Sequence, residues 1–182
     1  MDAAFQPLRM PDRLTDGAVV LDLPTLADAE AHNAGEDAEM RLRFEAPRPA
    51  TLDEHRTAFA RWIAARAEGG PNIVYAVRVE RGALAGVCEI RRLAADRAGV
   101  SYWIYPAFRG RDLAAQALAL LCAAARGVDG LMTIEAHIDP DNLASRRTAE
   151  AAGFVQTGEV EDEAWNGRVV SRLLYERGVS QA

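Results

Sequence analysis

The stretch of sequence that decides the fold is Tyr102-Trp103-Ile104-Tyr105-Pro106-Ala107-Phe108-Arg109-Gly110-Arg111-Asp112-Leu113-Ala114. Aromatic and β-branched residues lead up to Pro106, and an apolar, alanine-rich run follows Asp112. This pattern predicts a strand that ends at Pro106, a short turn, and a long helix that begins near Arg111. The first turn of a helix has backbone N–H groups without intrahelical partners, and the helix dipole adds positive charge there. The segment therefore indicates an anion-binding site at the start of this helix.

Three residues of the turn bear on that interpretation. Gly110 lets the backbone approach a phosphate closely, and Arg109 and Arg111 supply hydrogen-bond donors and positive charge. Taken alone, the segment fits equally well a turn whose arginines are merely solvated. The choice between the two depends on the rest of the chain.

Outward from this segment, the chain predicts strands and helices that surround one sheet. Thr51 and Glu54 have the form of a capping box at the start of a helix, and Asn166-Gly167 is a strong hairpin signal. Strands are expected at 17–23, 73–79, 85–92, 100–105, 131–138, 154–162 and 168–176, and helices at 25–36, 39–44, after Thr51, 111–126 and 142–152. The prediction is an α/β (α+β) fold, a single mixed central sheet of about seven strands flanked by helices, in one domain of residues 1–182.

Composition excludes several classes of protein. With 49% hydrophobic and 26% charged residues, the chain is not intrinsically disordered, and no apolar run approaches the length of a membrane span. The net charge of -6 argues against a protein that coats nucleic acid. Cys88 and Cys122 lie in apolar periodic segments, and the start of the chain lacks the pattern of a signal peptide. We expect buried free thiols, a cytoplasmic location, and neither nucleic-acid nor membrane partners.

Two motifs resemble the signatures of the GCN5-related N-acetyltransferases (GNAT). Arg109-Gly110-Arg111-Asp112-Leu113-Ala114 resembles the pyrophosphate-binding loop of that family, Gln/Arg-x-x-Gly-x-Gly/Ala. Asn142-Leu143-Ala144-Ser145, followed by Glu150-Ala151-Ala152-Gly153-Phe154, resembles its second signature, Asn-x-x-Ser then Glu-x-x-Gly-Phe. The order of elements is similar from about Leu14 to Tyr175. Within the family, the Tyr102-Trp103 strand, the second signature and the terminal hairpin look most like the ribosomal-protein N-terminal acetyltransferases.

The resemblance implies an enzyme that transfers an acetyl group from acetyl-CoA to a primary amine by direct attack, without a metal. The cofactor would lie where the strand 100–105 separates from the strand 131–138, with its pyrophosphate on the loop before the helix. The implied acceptor is a protein N-terminus or a small amine, and the implied assembly is a monomer or a homodimer. The implied cofactor-binding residues are Trp103, Ile104, Tyr105, Arg109, Gly110, Arg111, Asp112, Leu113, Ala114 and Asn142.

The resemblance also implies two catalytic residues. A serine that follows the asparagine of the second signature is implicated in protonating the thiolate in ribosomal-type relatives, and it matches Ser145. The base in those relatives is a glutamate before the terminal hairpin, which falls on Glu163 when counted back from the hairpin turn. Counted forward from the second signature it falls on Ala164, which cannot accept a proton, so Glu163 is preferred and Glu161 is the reserve.

Structural roles compete with these assignments. A serine in the first turn of a helix commonly makes local hydrogen bonds, and the charge run from Glu161 to Glu163 is typical of a solvated hairpin. His137, on the same strand face as Glu135, could act as a base, although a satisfied half-buried side chain is more common at such positions. His32 and His55 are expected at the surface.

Three departures from the family pattern leave an alternative open. Asp112 occupies the usual glycine position of the loop, where a carboxylate would repel phosphate, so we expect weakened but persistent cofactor binding. Gly99 and Ala149 stand where many relatives carry a glutamate and a tyrosine. The alternative is a catalytically impaired CoA-binding or protein-interaction module. An unrelated nucleotide-binding domain is disfavoured because the loop lacks the glycine and lysine pattern of such domains.

Overall fold

A computed structural model describes residues 7–163 and 167–179 of the chain. Its strands are β1 (Arg13–Thr15), β2 (Val20–Asp22), β3 (Asn72–Val79), β4 (Ala83–Arg92), β5 (Arg97–Ile104), β6 (Thr133–Ile138), β7 (Val155–Glu163) and β8 (Val169–Gly178). Its helices are α1 (Asp28–Gly35), α2 (Ala38–Arg43), α3 (Leu52–Ala67), α4 (Leu113–Ala125) and α5 (Leu143–Ala151), and short 3-10 turns cover Glu80–Gly82 and Pro106–Phe108.

The eight described strands form one mixed sheet in the order β1-β2-β3-β4-β5-β6-β8-β7. The pairing of β5 with β6 is parallel, and the other neighbours in the described sheet are antiparallel. The parallel pairing covers only Arg97 to Gly99 against Thr133 to Glu135. Beyond these residues β5 stays paired with β4, and β6 stays paired with β8. The two strands therefore diverge and leave a gap, called here the β5–β6 opening.

Helices cover both faces of β5. Side chains alternate along a strand, so neighbouring residues point to opposite faces of the sheet. The Tyr102 hydroxyl reaches Ser145 on α5, while the Trp103 ring lies against Phe44 at the end of α2, with ring centroids 6.1 Å apart. Hence α5 and α2 lie on opposite faces of the β5–β6 opening. The apolar face of α4 is buried in the main core beside α5, through residues such as Leu118 and Leu121.

The predicted fold class is confirmed, and the sheet has one strand more than the predicted seven. The additional strand is β1, which precedes the first predicted strand. The Asp16 carboxylate accepts hydrogen bonds from the N–H groups of Ala18 and Val19, and this turn folds β1 back onto β2. The capping box at Thr51 and Glu54 forms as predicted. Asn166 of the predicted hairpin turn lies outside the described residues, while β7 and β8 pair on either side of it.

The prediction that His32 and His55 lie at the surface is wrong. Both are buried where α1 packs against α3. His32 Nδ1 lies 2.7 Å from the Tyr105 hydroxyl, and His55 Nε2 lies 3.1 Å from a Glu36 carboxylate oxygen. Burial, followed by the charge of the neighbouring histidine, lowers the pKa of His32 to about 4. His32 is therefore a neutral core residue at neutral pH.

The predicted buried thiols are confirmed, since Cys88 and Cys122 are free and buried. Burial raises the pKa of Cys122 to about 11, and it raises the pKa of Cys88 further. Among the described helices, none combines the length and the apolar character that crossing a membrane requires.

Candidate functional site

The loop that precedes α4 has the geometry of an anion site. Asp112 is the N-cap of α4, and its carboxylate makes no capping hydrogen bond. The first helical bond runs from the Gln116 N–H to the Asp112 carbonyl, at 3.1 Å. The N–H groups of Leu113 and Ala114 therefore have no partner within the helix and point toward its open end. Such a turn binds anions through its N–H groups and its dipole.

Two residues of this loop adopt left-handed backbone conformations. Gly110 has φ 73°, and Asp112 has φ 55° and ψ 17°. A glycine reaches this region freely, and aspartate is one of the few other residues that tolerates it. The loop therefore keeps its turn although an aspartate replaces the usual glycine. The Asp112 side chain is exposed, and its negative charge remains at the helix start.

The Arg109 side chain is engaged away from the start of α4. Its Nη1 donates to Asp37 at 2.8 Å, and its Nε donates to the Ile104 carbonyl at 3.0 Å. The guanidinium carbon also lies 4.5 Å from the centre of the Trp103 ring, a cation–π contact. Arg109 thus ties the segment before α2 to the end of β5. Its backbone N–H donates to the Pro106 carbonyl at 3.4 Å, so a contribution of Arg109 to an anion site would come from its side chain after these contacts break.

Arginines surround a cavity of about 560 Å³ that borders the first turn of α4. Arg111 lines it together with Leu113 and Gln116 of α4. The further charged lining residues are Arg13, Asp22, Arg78 and Arg81. Four arginines and one aspartate leave an excess of positive charge in a chain that is acidic overall, which favours anions beside α4.

Backbone geometry singles out Ile104 on the edge of β5. The Tyr105 N–H donates to the Ala85 carbonyl on β4 at 2.9 Å. Because backbone polar groups alternate along a strand, those of Trp103 also face β4, whereas those of Ile104 face the β5–β6 opening. The Tyr105 carbonyl accepts from the Phe108 N–H, and its hydroxyl contacts His32. Of the three strand residues expected to contact a pantetheine arm, Ile104 presents its backbone to the opening, where its carbonyl already accepts from Arg109 Nε.

Ser145 and Tyr102 form a pair of hydroxyls at this opening. Asn142 caps α5 by accepting a hydrogen bond from the Ser145 N–H at 3.1 Å. The Ser145 Oγ lies 2.8 Å from the Tyr102 hydroxyl, which is also 3.0 Å from the Ser145 carbonyl oxygen. Burial raises the pKa of Tyr102 to about 12. Tyr102 stands in the segment that decides the fold, but no local pattern in that segment predicts its contact with Ser145.

The expected base and its reserve lie at the end of β7. Glu163 pairs with Val169 and Glu161 pairs with Ser171 across the hairpin, and both glutamates are exposed. Within the described residues no hydrogen bond joins Glu163 to Ser145. The structure thus places the two expected catalytic residues on separate elements, α5 and β7. Ala164, the other position considered, lies outside the described residues.

An ionic cluster sits beside the opening on β6. His137 Nδ1 lies 2.9 Å from Asp162, and its Nε2 lies 3.2 Å from Glu135. Arg97 donates to Glu135, and Arg172 donates to Asp162 at 3.0 Å. Burial raises the pKa of Asp162, but hydrogen bonds from His137 and Arg172 outweigh it, so the net pKa is lowered. The sequence indicated part of this cluster, because Glu135 and His137 are two residues apart and therefore share one face of β6. It did not indicate that Asp162 contacts His137.

Comparisons with known proteins bear on the family and the fold of this chain. Residues 18–155 match the sequence model of a family described as acetyltransferase (GNAT) domain. A comparison with curated proteins finds no match.

Several solved structures are similar to this chain. RimL, a ribosomal L7/L12 alpha-N-protein acetyltransferase in complex with coenzyme A, is 18% identical, with 95% of this chain and 99% of that chain covered and a TM-score of 0.78. RimJ of Mycobacterium smegmatis, in complex with a CoA disulfide, is 22% identical, with coverages of 94% and 85% and a TM-score of 0.74. The microcin C7 self-immunity acetyltransferase MccE, in complex with acetyl-CoA and AMP, is 19% identical, with coverages of 90% and 94% and a TM-score of 0.74. At these identities the likeness establishes a shared fold.

Proposed function

Because this chain belongs to the GNAT acetyltransferase family and is an acyltransferase, we propose that it transfers the acetyl group of acetyl-CoA to a primary amine by direct attack. In this proposal residues 1–182 act as one acetyltransferase domain. The observation that carries it is the β5–β6 opening beside the start of α4, where backbone N–H groups lack helical partners. RimL and MccE, which share this fold, were solved with CoA and with acetyl-CoA, which supports acetyl-CoA as the donor.

The proposed cofactor site follows the opening from the helix start to the strand edge. N–H groups from Gly110 to Ala114 bind the diphosphate, and Arg111 adds positive charge next to them. Ile104 pairs with the pantetheine arm through its backbone, and Asn142 contacts the cofactor near the start of α5. Metal plays no part in this proposal.

The proposed chemistry needs one oxyanion donor and two proton-handling groups. The Ile104 N–H donates to the oxyanion that forms when the amine attacks the thioester, a contact of a kind that contributes about 2.7–4 kcal/mol. Ser145 hydrogen-bonds to the departing thiolate. Simple amines arrive protonated because their pKa lies near 10, so a base must remove that proton, which contributes roughly 10²–10⁴-fold in rate. Glu163 is the proposed base, with Glu161 in reserve.

The acceptor is proposed to be a primary amine on a protein N-terminus or on a small molecule. The name of RimL describes an enzyme that acts on the alpha-amine of a ribosomal protein, which supports the first class. The alternative proposal is a CoA-binding module with impaired catalysis. It is motivated by the Asp112 carboxylate at the start of α4 and by Ala149, which is buried and offers no phenol.

Titration calorimetry with acetyl-CoA, beside a thiol-release assay over small amines and N-terminal peptides, tests the proposal. We expect saturable acetyl-CoA binding and thiol release that depends on one class of acceptor. Glu163→Gln should abolish most of that turnover while leaving acetyl-CoA affinity unchanged, and Glu159→Gln, at an exposed position on the same strand, is the matched control. Absence of binding at millimolar acetyl-CoA would refute the proposal. Binding without turnover on any acceptor would favour the impaired module.

A further inference from the structure

The contact between Tyr102 and Ser145 spans the β5–β6 opening. Tyr102 belongs to β5, whereas α5 follows β6 in the chain and packs against it. The Tyr102 side chain, which joins β5 to α5, therefore crosses the β5–β6 opening. Ile104, whose backbone faces the gap, lies two residues from Tyr102 on the same strand. The hydroxyl pair and the proposed oxyanion donor thus border one space.

The hydrogen bonds of Tyr102 decide where the Ser145 proton points. The Tyr102 hydroxyl carries one proton and lies 3.0 Å from the Ser145 carbonyl, which only accepts, and 2.8 Å from the Ser145 Oγ, where either hydroxyl can donate. A serine in the first turn of a helix otherwise directs its hydroxyl to local backbone groups. When Tyr102 donates to the Ser145 Oγ, that oxygen becomes an acceptor and its own proton is free to point into the opening. Hydrogen bonds in such a chain polarise and strengthen one another.

No other described phenol serves Ser145. The α5 position where relatives often carry a tyrosine is Ala149, which is fully buried. Tyr175, a buried tyrosine near α5, donates to Glu150 at 3.1 Å and accepts from Arg146 at 3.2 Å. Tyr102 is therefore the tyrosine positioned to act through Ser145.

We propose that Tyr102 is a positioning residue that turns the Ser145 hydroxyl toward the sulfur of CoA, so that the pair stabilises the thiolate that leaves during acetyl transfer. This rests on the proposed function. The carbon–sulfur bond breaks, its electron pair goes to the sulfur, and the Ser145 O–H donates a hydrogen bond to that charge. Tyr102 donates to the Ser145 oxygen and keeps its own proton throughout. The thiolate takes its final proton from solvent, since thiols titrate near 8.5.

The test measures the pKa of the CoA thiol while it is bound to the protein, from the ultraviolet absorbance of the thiolate during a pH titration. This readout needs no acceptor amine. The two cysteines of the chain do not interfere at moderate pH because burial raises both of their pKa values, that of Cys122 to about 11. Bound CoA should titrate below free CoA in the wild type. Tyr102→Phe and Ser145→Ala should each raise the bound thiol pKa by about one unit, a tenfold change in acidity.

Three controls separate positioning from a structural role. The double variant should match Ser145→Ala alone, because Tyr102 acts only through that hydroxyl. Ser145→Thr keeps a hydroxyl and should retain most of the lowered pKa. Tyr175→Phe removes the other phenol bound to α5. This variant should leave the pKa of the bound CoA thiol unchanged, even though its melting temperature falls by as much as the melting temperature of Tyr102→Phe. In turnover, Tyr102→Phe should lower kcat and leave KM for acetyl-CoA unchanged.

Each contrary result has a separate meaning. If the wild type binds no CoA, the proposed function fails, and this inference fails with it. If CoA binds and Tyr102→Phe leaves its thiol pKa unchanged, the inference alone is wrong. The inference would also be overturned if Tyr102→Phe raised the pKa of the bound thiol equally in the wild type and in the Ser145→Ala background. Tyr102 would then act independently of the Ser145 hydroxyl.

Discussion

Replacement of Asp112 by asparagine should tighten acetyl-CoA binding. The Asp112 side chain is exposed at the N-cap of α4 and makes no capping hydrogen bond, so its charge lies beside the N–H groups proposed to bind the diphosphate. A carboxylate about 6 Å from a phosphate charge costs roughly 0.7 kcal/mol in water, so two phosphates cost about 1.4 kcal/mol. Physiological salt reduces this by about half. Asp112→Asn should therefore bind acetyl-CoA about three- to tenfold more tightly, and the gain should be larger at low salt.

A second variant separates charge from backbone strain. Glycine adopts the left-handed conformation of this position (φ 55°) without a Cβ penalty, and asparagine tolerates it almost as well. If charge decides, Asp112→Gly and Asp112→Asn give equal gains in affinity. Asp129→Asn, at an exposed position beyond the far end of α4, is the control for net charge and should change nothing. Calorimetry at two salt concentrations measures all three. Unchanged or weaker binding in Asp112→Asn would show that the diphosphate lies elsewhere.

The remaining predictions concern the loop and the core. Gly110 has φ 73°, so Gly110→Val forces a β-branched residue into a left-handed backbone. The CoA affinity of Gly110→Val should fall at least tenfold, and further than the affinity of Ser145→Ala. Equal affinities of the two variants by calorimetry would mean that the loop is misinterpreted. The pKa of His32 falls from 6.5 to about 4 on folding, so the unfolded chain binds that proton more tightly, and stability is lost as pH falls through this window. In urea titrations at pH 7 and pH 5, His32→Gln should lose less stability than the wild type; an equal loss would contradict this. Asp28 pairs with Arg78 through two contacts of 2.9 Å, so Asp28→Asn should lower the free energy of unfolding by about 3 kcal/mol at pH 7. Burial raises the pKa of Asp28, but the hydrogen bonds from Arg78 and Thr25, together with the charge of Arg78, outweigh burial and the net pKa is lowered. The difference between variant and wild type should therefore shrink below pH 3.8; a constant difference would refute the pairing.

Local signals made most of the fold predictable. The end of β5 at a proline, the long apolar α4 and the capping box before α3 are encoded by neighbouring residues, so the sequence suffices to place them. β1 was missed because it is only three residues long and its pairing depends on the side chain of Asp16. The burial of His32 was not predicted, because the sequence pattern of a helix does not distinguish a polar residue that faces solvent from one that faces a buried partner such as Tyr105.

The local structure of the candidate site was predictable where a motif lies in one stretch of chain. The loop from Arg109 to Ala114 and the cap at Asn142 are of this kind. The contact of Tyr102 with Ser145 joins residues 43 positions apart, and that of His137 with Asp162 joins residues 25 apart. Such contacts depend on strand register and on how α5 packs, which no local pattern specifies.

A crystal structure with CoA bound tests the central claim most directly. We predict that the diphosphate accepts hydrogen bonds from the N–H groups of Leu113 and Ala114, and that the sulfur lies within hydrogen-bond distance of the Ser145 Oγ. A diphosphate bound away from the start of α4, or a β5–β6 opening filled by protein atoms while CoA binds elsewhere, would contradict the account.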